Sequence, residues 1–323
     1  ISLYDIAWNA AHNRDWHEHR AVVHGATHRS LASALQHFAD GTECDVPVET
    51  AVALSGFDAP IGVAFAYSGN GSQWTGMGKR LLDEVPVFRS AVQSVDAIFK
   101  KLAGFSIEDE LAGKNGSERY ALTEIAQPAL FAYQVGVTEM LRSQGLTPNA
   151  VTGHSVGEIA AAWASGALSL EQAVQVVYHR SQLQGKTKGQ GKMTAVSAGE
   201  SVVLQILQTL QLEASIAIAG VNSARGVTLA GNESGLASVE AVLLERAISF
   251  KRLDLDYAFH STAMDPIESG IYRAFSALVP GHEHIPYIST VTGDQLSGAL
   301  LGAYYWWQNI RNPVQFEKAI ASA

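Results

Sequence analysis

The hexapeptide Gly153-His154-Ser155-Val156-Gly157-Glu158 constrains this chain more than any other segment. It follows a short apolar run, Leu146 to Thr152, and precedes a run of helical character from Ile159 to Ala167. A strand, a sharp turn and a helix are therefore expected, with Ser155 exposed at the apex of the turn, on top of a sheet. Glycine on both sides suits that geometry, because a side chain at 153 or 157 would collide with the strand or the helix. The amide of Val156 would lie near the helix N-terminus, where developing negative charge is favoured. This is a setting for a covalent acyl-serine. A glycine-rich βα turn whose serine merely caps the helix reads the same way, so the motif alone is a hypothesis about chemistry.

The 323 residues, 47% hydrophobic and 16% charged, are enough for a sizeable core and for about two domains. No apolar run reaches the ~18 residues of a membrane span, and no signal peptide opens the chain. The single cysteine, Cys44 in the loop-like stretch Asp40 to Pro47, excludes a disulfide framework and suits a reducing compartment. A cytoplasmic location is expected. The net charge of −9, without a dense Lys/Arg tract, argues against nucleic acid, and an acidic partner would need a local basic patch. The chain begins at Ile1, and Phe316 to Ala323 breaks off inside a helical pattern, so a piece of a larger protein is expected.

Residues 1–57 read as a separate unit, with a strand from His19 to Gly25 and a helix from Thr27 to Phe38. His12, His17, His19, His24, His28 and His37 fall here, but their spacing fits no zinc pattern and no metal is expected. Ile61 to Tyr67 is a continuous apolar run of the kind seen in buried parallel strands, and it ends in the loop Ser68-Gly69-Asn70-Gly71-Ser72-Gln73. Helices follow over Gly78–Leu82, Pro86–Leu102, Gln127–Gln144, with Pro128 in its first turn, and Leu170–Gln184. Alternating strands and helices give a parallel sheet covered on both faces. Residues 191–255 differ: strand, helix, two strands joined by Asn222–Arg225, helix and strand, the βαββαβ order of a ferredoxin-like module. It is inserted into a large domain comprising residues 58–190 and 256–323.

A serine nucleophile needs a base. His260, in Tyr257-Ala258-Phe259-His260-Ser261, lies where the chain returns from the small module to the large domain, and such junctions form clefts. His154, His179, His282 and His284 compete for the role, and a lone histidine can equally be structural. Arg180, near the end of the helix after the nucleophile, offers a fork for a carboxylate; a surface ion pair is the plainer reading. The glycine-rich loop lacks the Gly-Lys-Ser/Thr ending of a phosphate cradle, so it reads as an oxyanion site or an ordinary turn. A serine hydrolase in the order serine, acid, histidine would instead use Asp254 or Asp256 with His282 or His284.

Taken together, the motifs resemble the acyltransferase domain of type I polyketide synthases and the malonyl-CoA:acyl-carrier-protein transacylases. Ser68 to Trp74 is similar to that family's P-G-Q-G-S-Q-W, Thr123 to Ala132 to its T-x-x-x-Q-P-A-L, and Gly153–Glu158 to its nucleophile motif. Arg180-Ser181, Tyr257–Ser261 and Tyr305 to Val314 resemble its arginine, histidine and closing Y-W-x-x-N-x-R-x-P-V motifs. The resemblance implies an α/β fold: a large parallel-sheet, α/β-hydrolase-like domain, an inserted ferredoxin-like small domain, and an N-terminal α/β domain linking to a ketosynthase. It also implies that Ser155 is the nucleophile and His260 the base, with the amides of Val156 and Asn70 as oxyanion hole. Arg180 would hold the malonyl carboxylate, with Gln127, Tyr257 and Phe259 in the substrate site. The implied reaction is ping-pong, from malonyl-CoA to Ser155 to the phosphopantetheine thiol of an acyl carrier protein, with no resident cofactor. The implied partners are that carrier protein and the neighbouring ketosynthase domain.

The sequence departs from this pattern at Ser68, usually Pro, and at Asn70, usually Gln. The histidine motif mixes the H-A-F-H of malonyl-selective members with the Y-A-S-H of methylmalonyl-selective ones. The Phe259 ring would fill the space an α-methyl needs, and Val156 stands where methylmalonyl members carry Gln, so malonyl is expected. Lys186, Lys188, Lys192, Arg225, Lys251 and Arg252 are candidates for a carrier-protein patch, or plain solvated charges. A backbone carbonyl near Ser289–Thr292 is expected to orient His260.

Overall fold

The computed structural model describes residues 1–15, 17–44, 48–52 and 62–323, which fall into two compact units, Ile1–Ile61 and Gly62–Ala323. The boundary expected at 57, the beginning of the strand expected from Ile61 and the end of the Asp40–Pro47 loop lie outside the described residues.

The first unit contains α1 (Leu3–His12), β1 (His19–Val23), α2 (His28–Asp40) and β2 (Val48–Val52). The sequence reading missed α1, although Ser2 and Asp5 form a reciprocal capping box at its start. Helix α2 is capped by Thr27 and stopped by Gly41 at φ 65°, a conformation glycine adopts without cost. Strands β1 and β2 pair antiparallel, His19 opposite Val52. Several histidines here have separate local partners: the ring of His12 stacks on Trp8, and His28 and His37 bond the Ile1 carbonyl and the Thr42 hydroxyl.

The second unit begins with β3 (Ala64–Tyr67), α3 (Lys79–Glu84), α4 (Pro86–Ala103), α5 (Ile107–Leu111), α6 (Thr123–Ser143), β4 (Ala150–Gly153), α7 (Gly157–Ala164) and α8 (Leu170–Gly185). Next come β5 (Lys192–Val196), α9 (Glu200–Leu210), β6 (Ile216–Ser223), β7 (Gly226–Gly231), α10 (Glu233–Glu245) and β8 (Phe250–Arg252). The chain finishes through α11 (Glu268–Ala274), β9 (Tyr287–Ser289), β10 (Asp294–Gln295), α12 (Ala303–Arg311), β11 (Val314–Gln315) and α13 (Phe316–Ser322).

The four-stranded sheet has the order β10-β9-β4-β3, parallel except for the antiparallel edge β10, and β4, one of its two inner strands, leads into the turn that holds Ser155. Helix α4 buries Phe88, Val92, Val95 and Phe99, the i, i+4, i+7, i+11 stripe of an amphipathic helix. Helix α6 is buried over most of its surface. It starts at Thr123, one turn before the expected Gln127, so Pro128 stands inside the helix rather than in its first turn. The polar Thr123 and Gln127 are buried, and Gln127 Nε2 donates to Thr123 Oγ1 at 2.6 Å.

The second sheet has the order β11-β6-β7-β5-β8. Its βαββαβ segment is the ferredoxin-like module, with a core of its own built from Val203, Ile206, Leu229, Leu236 and Leu243. The returning segment 256–323, expected to belong wholly to the large domain, also contributes here: β11 pairs parallel with β6, Val314 opposite Gly220. Among the described residues no helix is long and apolar enough to cross a membrane.

Candidate active site

Strand β4 ends at Gly153 and α7 begins at Gly157, leaving three residues for the turn. A Cβ on Gly153 would stand 2.2 Å from the Gly157 carbonyl carbon, and one on Gly157 would stand 2.3 Å from Tyr67 O on β3. Both contacts are to backbone, so neither position accepts a side chain without moving the sheet. Ser155 itself sits at φ 53°, in the left-handed region, as does His260 at φ 58°. Non-glycine residues reach that region at a cost, and they cluster at functional sites.

Ser155 Oγ lies 2.8 Å from His260 Nε2. The other imidazole nitrogen, Nδ1, is 2.9 Å from the carbonyl of Asn312, just past α12. That acceptor requires a proton on Nδ1, which leaves Nε2 to accept from the serine hydroxyl. The orienting carbonyl therefore comes from Asn312, not from Ser289–Thr292. The latter stretch surrounds Glu158 instead, with Thr290 N donating to its carboxyl at 3.1 Å. Burial, and then the nearby Arg180, push the His260 pKa down to about 3, so the ring is neutral at physiological pH.

Arg180 projects from α8 and is 1% exposed. Its Nη2 donates to Ser155 Oγ at 2.9 Å, its Nη1 to Gln127 Oε1 at 2.6 Å and Gln184 Oε1 at 2.9 Å, and its Nε to Asn309 Oδ1 at 3.3 Å. No carboxylate is among these partners. Burial lowers its pKa to about 9, which still leaves the guanidinium charged at neutral pH. Gln184 and Asn309 were not anticipated as site residues. Asn309 also donates to Ser155 O and Glu158 Oε1, both at 3.2 Å. Glu158 is fully buried, bonded to the hydroxyls of Tyr287, Tyr305 and Thr290, and burial raises its pKa toward the neutral form.

Asn70, Gln127, Ser155, Arg180, Phe259 and His260 border a cavity of about 100 Å³. Among the described residues the backbone N–H groups of Asn70 and Val156 donate to no other group. The Val156 side chain belongs to the main core, not to the cavity wall. Tyr257 is also off this wall. Its ring stacks behind Phe259 at 4.9 Å between centroids, and it borders a neighbouring cavity that shares Asn70, Leu255 and Phe259.

The competing groups have other partners, although His154 also borders the cavity. His154 directs Nε2 to Asn222 Oδ1, 2.9 Å away on β6. His179 packs against Tyr178 and Phe275. Asp256 pairs with Lys192 at 2.8 Å, and neither Asp254, His282 nor His284 borders the cavity. Of the six candidate basic residues, Lys192 is thus paired, and Arg252 pairs with Glu240 at 2.7 Å. Lys186, Lys188, Arg225 and Lys251 are exposed.

A family model described as acyl transferase domain matches residues 64–323. The mycoketide-CoA synthase of Mycobacterium tuberculosis is 35% identical over 100% of this chain, and erythronolide synthase EryA2 of Saccharopolyspora erythraea 34% identical over 98%. This chain spans only 8% and 9% of those proteins. Among solved structures, the acyltransferase domain from module 8 of the salinomycin polyketide synthase aligns with a TM-score of 0.89 at 31% identity, over 99% of this chain and 74% of that one. A loading acyltransferase of the avermectin synthase gives 0.76 at 36% identity, over 80% and 81%. The malonyl CoA-acyl carrier protein transacylase of Burkholderia pseudomallei gives 0.72 at 25%, over 81% and 87%.

Proposed function

The chain belongs to the acyl transferase domain family, and on that premise we propose that it moves a malonyl group from malonyl-CoA through Ser155 to the phosphopantetheine thiol of an acyl carrier protein, in polyketide assembly. His260 Nε2 takes the Ser155 proton as Oγ attacks the thioester carbonyl. The tetrahedral oxyanion is met by the amides of Val156 and Asn70. The imidazolium then protonates the sulfur of CoA as the C–S bond breaks. In the second half-reaction His260 removes the proton of the carrier thiol, the thiolate attacks the acyl-serine, and Oγ recovers the proton.

The observation that carries this reading is the placement of Arg180: buried, charged, without a carboxylate partner, and 2.9 Å from the nucleophile. A guanidinium in that state is suited to a carboxylate arriving on the acyl group, held by charge-assisted hydrogen bonds. The clamp fixes the acyl group in one pose, which favours the positioned thiol over stray water. The expected result is that Arg180→Ala reduces malonyl acylation relative to acetyl acylation by about ten- to a hundredfold, the equivalent of ~1.5–3 kcal/mol for a bond to a charged group. An unchanged ratio of the two acylation rates would remove the proposed role.

Selection of malonyl over methylmalonyl rests on Phe259, whose ring borders the cavity and is backed by Tyr257. One methyl group in such a pocket is worth about 1–3 kcal/mol, so the preference is expected to be leaky. The carrier protein would dock through Lys186, Lys188, Arg225 and Lys251, and the first unit would serve as the link to a ketosynthase.

A further inference from the structure

The way Arg180 is held goes beyond what the transfer steps require. Gln184 lies one helical turn after it on α8, is 0% exposed, and accepts from the same Nη1 that Gln127 accepts from. The amides cannot turn their NH2 groups toward the guanidinium. Gln127 Nε2 is occupied by Thr123 Oγ1 at 2.6 Å and by Gln184 Oε1 at 2.8 Å, and Gln184 Nε2 faces Met264 Sδ at 3.8 Å. A chain of fixed amides thus presents only oxygen to Arg180. Buried arginines are ordinarily paired with a carboxylate. Here every acceptor from the protein is neutral, and the nearest buried acid, Glu158, directs its oxygens to Tyr287, Tyr305, Thr290 and Asn309.

We propose that Gln184 is a positioning residue for the choice of acyl group: its neutral carbonyl anchors Arg180 while leaving the guanidinium charge uncompensated, so that the counter-charge must arrive on the substrate. The proposal rests on Arg180 being the partner of the acyl carboxylate. A glutamate at 184 has the same shape and reach, but it supplies a permanent counter-ion. The site would then disfavour a second anion and lose its reason to prefer a carboxylated acyl group over a neutral one.

The test compares Ser155 acylation by malonyl-CoA and by acetyl-CoA in the whole chain, as kcat/KM, for the wild type, Gln184→Glu and Gln184→Met. The expected outcome is a malonyl:acetyl ratio lowered by about tenfold or more in Q184E, as befits a buried charge placed against an incoming like charge, and kept within about threefold in Q184M. Should Q184E not fold, Gln127→Glu meets the same Nη1 from α6 and carries the same expectation. An unchanged ratio in the glutamate variant overturns the proposal, as does an equal fall in Q184M, which keeps the volume and leaves Gln127 on Nη1 and would make the lost hydrogen bond, not the added charge, the cause. A wild type without malonyl preference overturns the reading of Arg180 itself, and is recognised before any variant is made.

Discussion

Ser155 and His260 are both non-glycine residues held at positive φ, and their side chains meet at 2.8 Å. The strain is local, and the support comes from elsewhere: Asn312 fixes the imidazole, Asn309 ties the Ser155 carbonyl to Glu158 and Arg180. With the His260 pKa at about 3, the imidazole is neutral, and so able to accept a proton, throughout the neutral range. The acylation kcat/KM should therefore be flat with respect to His260 from roughly pH 5 to 8, and an inflection near the ordinary histidine value, about 6.5, would contradict the buried neutral imidazole. The same shift has a consequence for stability. The unfolded chain binds a proton at His260 below its ordinary pKa, and the folded chain does not, so stability is lost as pH falls from 6.5 toward 3, by about 1.4 kcal/mol per unit for this group. Glu158, shifted upward, acts in the opposite sense above its ordinary 4.5. Comparing urea unfolding of wild type and His260→Gln across that range isolates the histidine contribution. Ser155 was marked by its own motif, whereas His260 and Arg180, ambiguous when read alone, were picked out by the family resemblance, and the structure brings the three side chains together. Gln184 and Asn309 were not, since a glutamine or asparagine on a helix acquires a role only from what the tertiary fold brings to it. The carbonyl of Asn312 has no side-chain signature at all.

The decisive element is the β4–α7 turn, with β3 passing alongside. Three backbone segments approach so closely there that Gly157 has Tyr67 O where a Cβ would be. Gly157→Ala should therefore destabilise the second unit by about 1–3 kcal/mol, the cost of forcing an extra methyl into packed surroundings, and should lower acylation by shifting Ser155 away from His260. Thermal unfolding with parallel acylation assays checks both, and an alanine variant of wild-type stability and rate would contradict the close approach. Most long elements were readable from periodicity, because α4, α8, α9 and α10 bury one stripe, and α8 and α10 begin at side-chain caps while α4 stops at Gly104. Helix α6 began a turn early because Thr123 and Gln127 are polar yet buried, satisfied by each other and by Arg180. Helix α1 was missed because its capping box, Ser2 with Asp5, lies within the first few residues.

At the scale of the molecule, the order of elements disclosed a ferredoxin-like insertion, but not how it is fastened. Strand β11 reaches back to β6, so the insertion is tied to the main domain at its far edge as well as at its two chain crossings. Two strands of two residues each, β10 and β11, are too short for any pattern in the sequence to mark them. Surface charge is likewise only partly readable: half the question is pairing, and Lys192 and Arg252 prove to be paired. Charge reversal at Lys186, Lys188, Arg225 and Lys251 should slow transfer to a carrier protein, in a manner sensitive to salt, and leave acylation by malonyl-CoA unchanged. Equal slowing of both half-reactions would argue against a docking patch. The central claim is that Ser155 accepts a dicarboxylic acyl group chosen by Arg180 and Phe259. Its most direct test is intact-mass spectrometry of the chain after brief exposure to an equimolar mixture of malonyl-, methylmalonyl- and acetyl-CoA. The account predicts one dominant adduct, malonyl, absent from Ser155→Ala; equal labelling by the three thioesters, or an adduct that survives in Ser155→Ala, would contradict it.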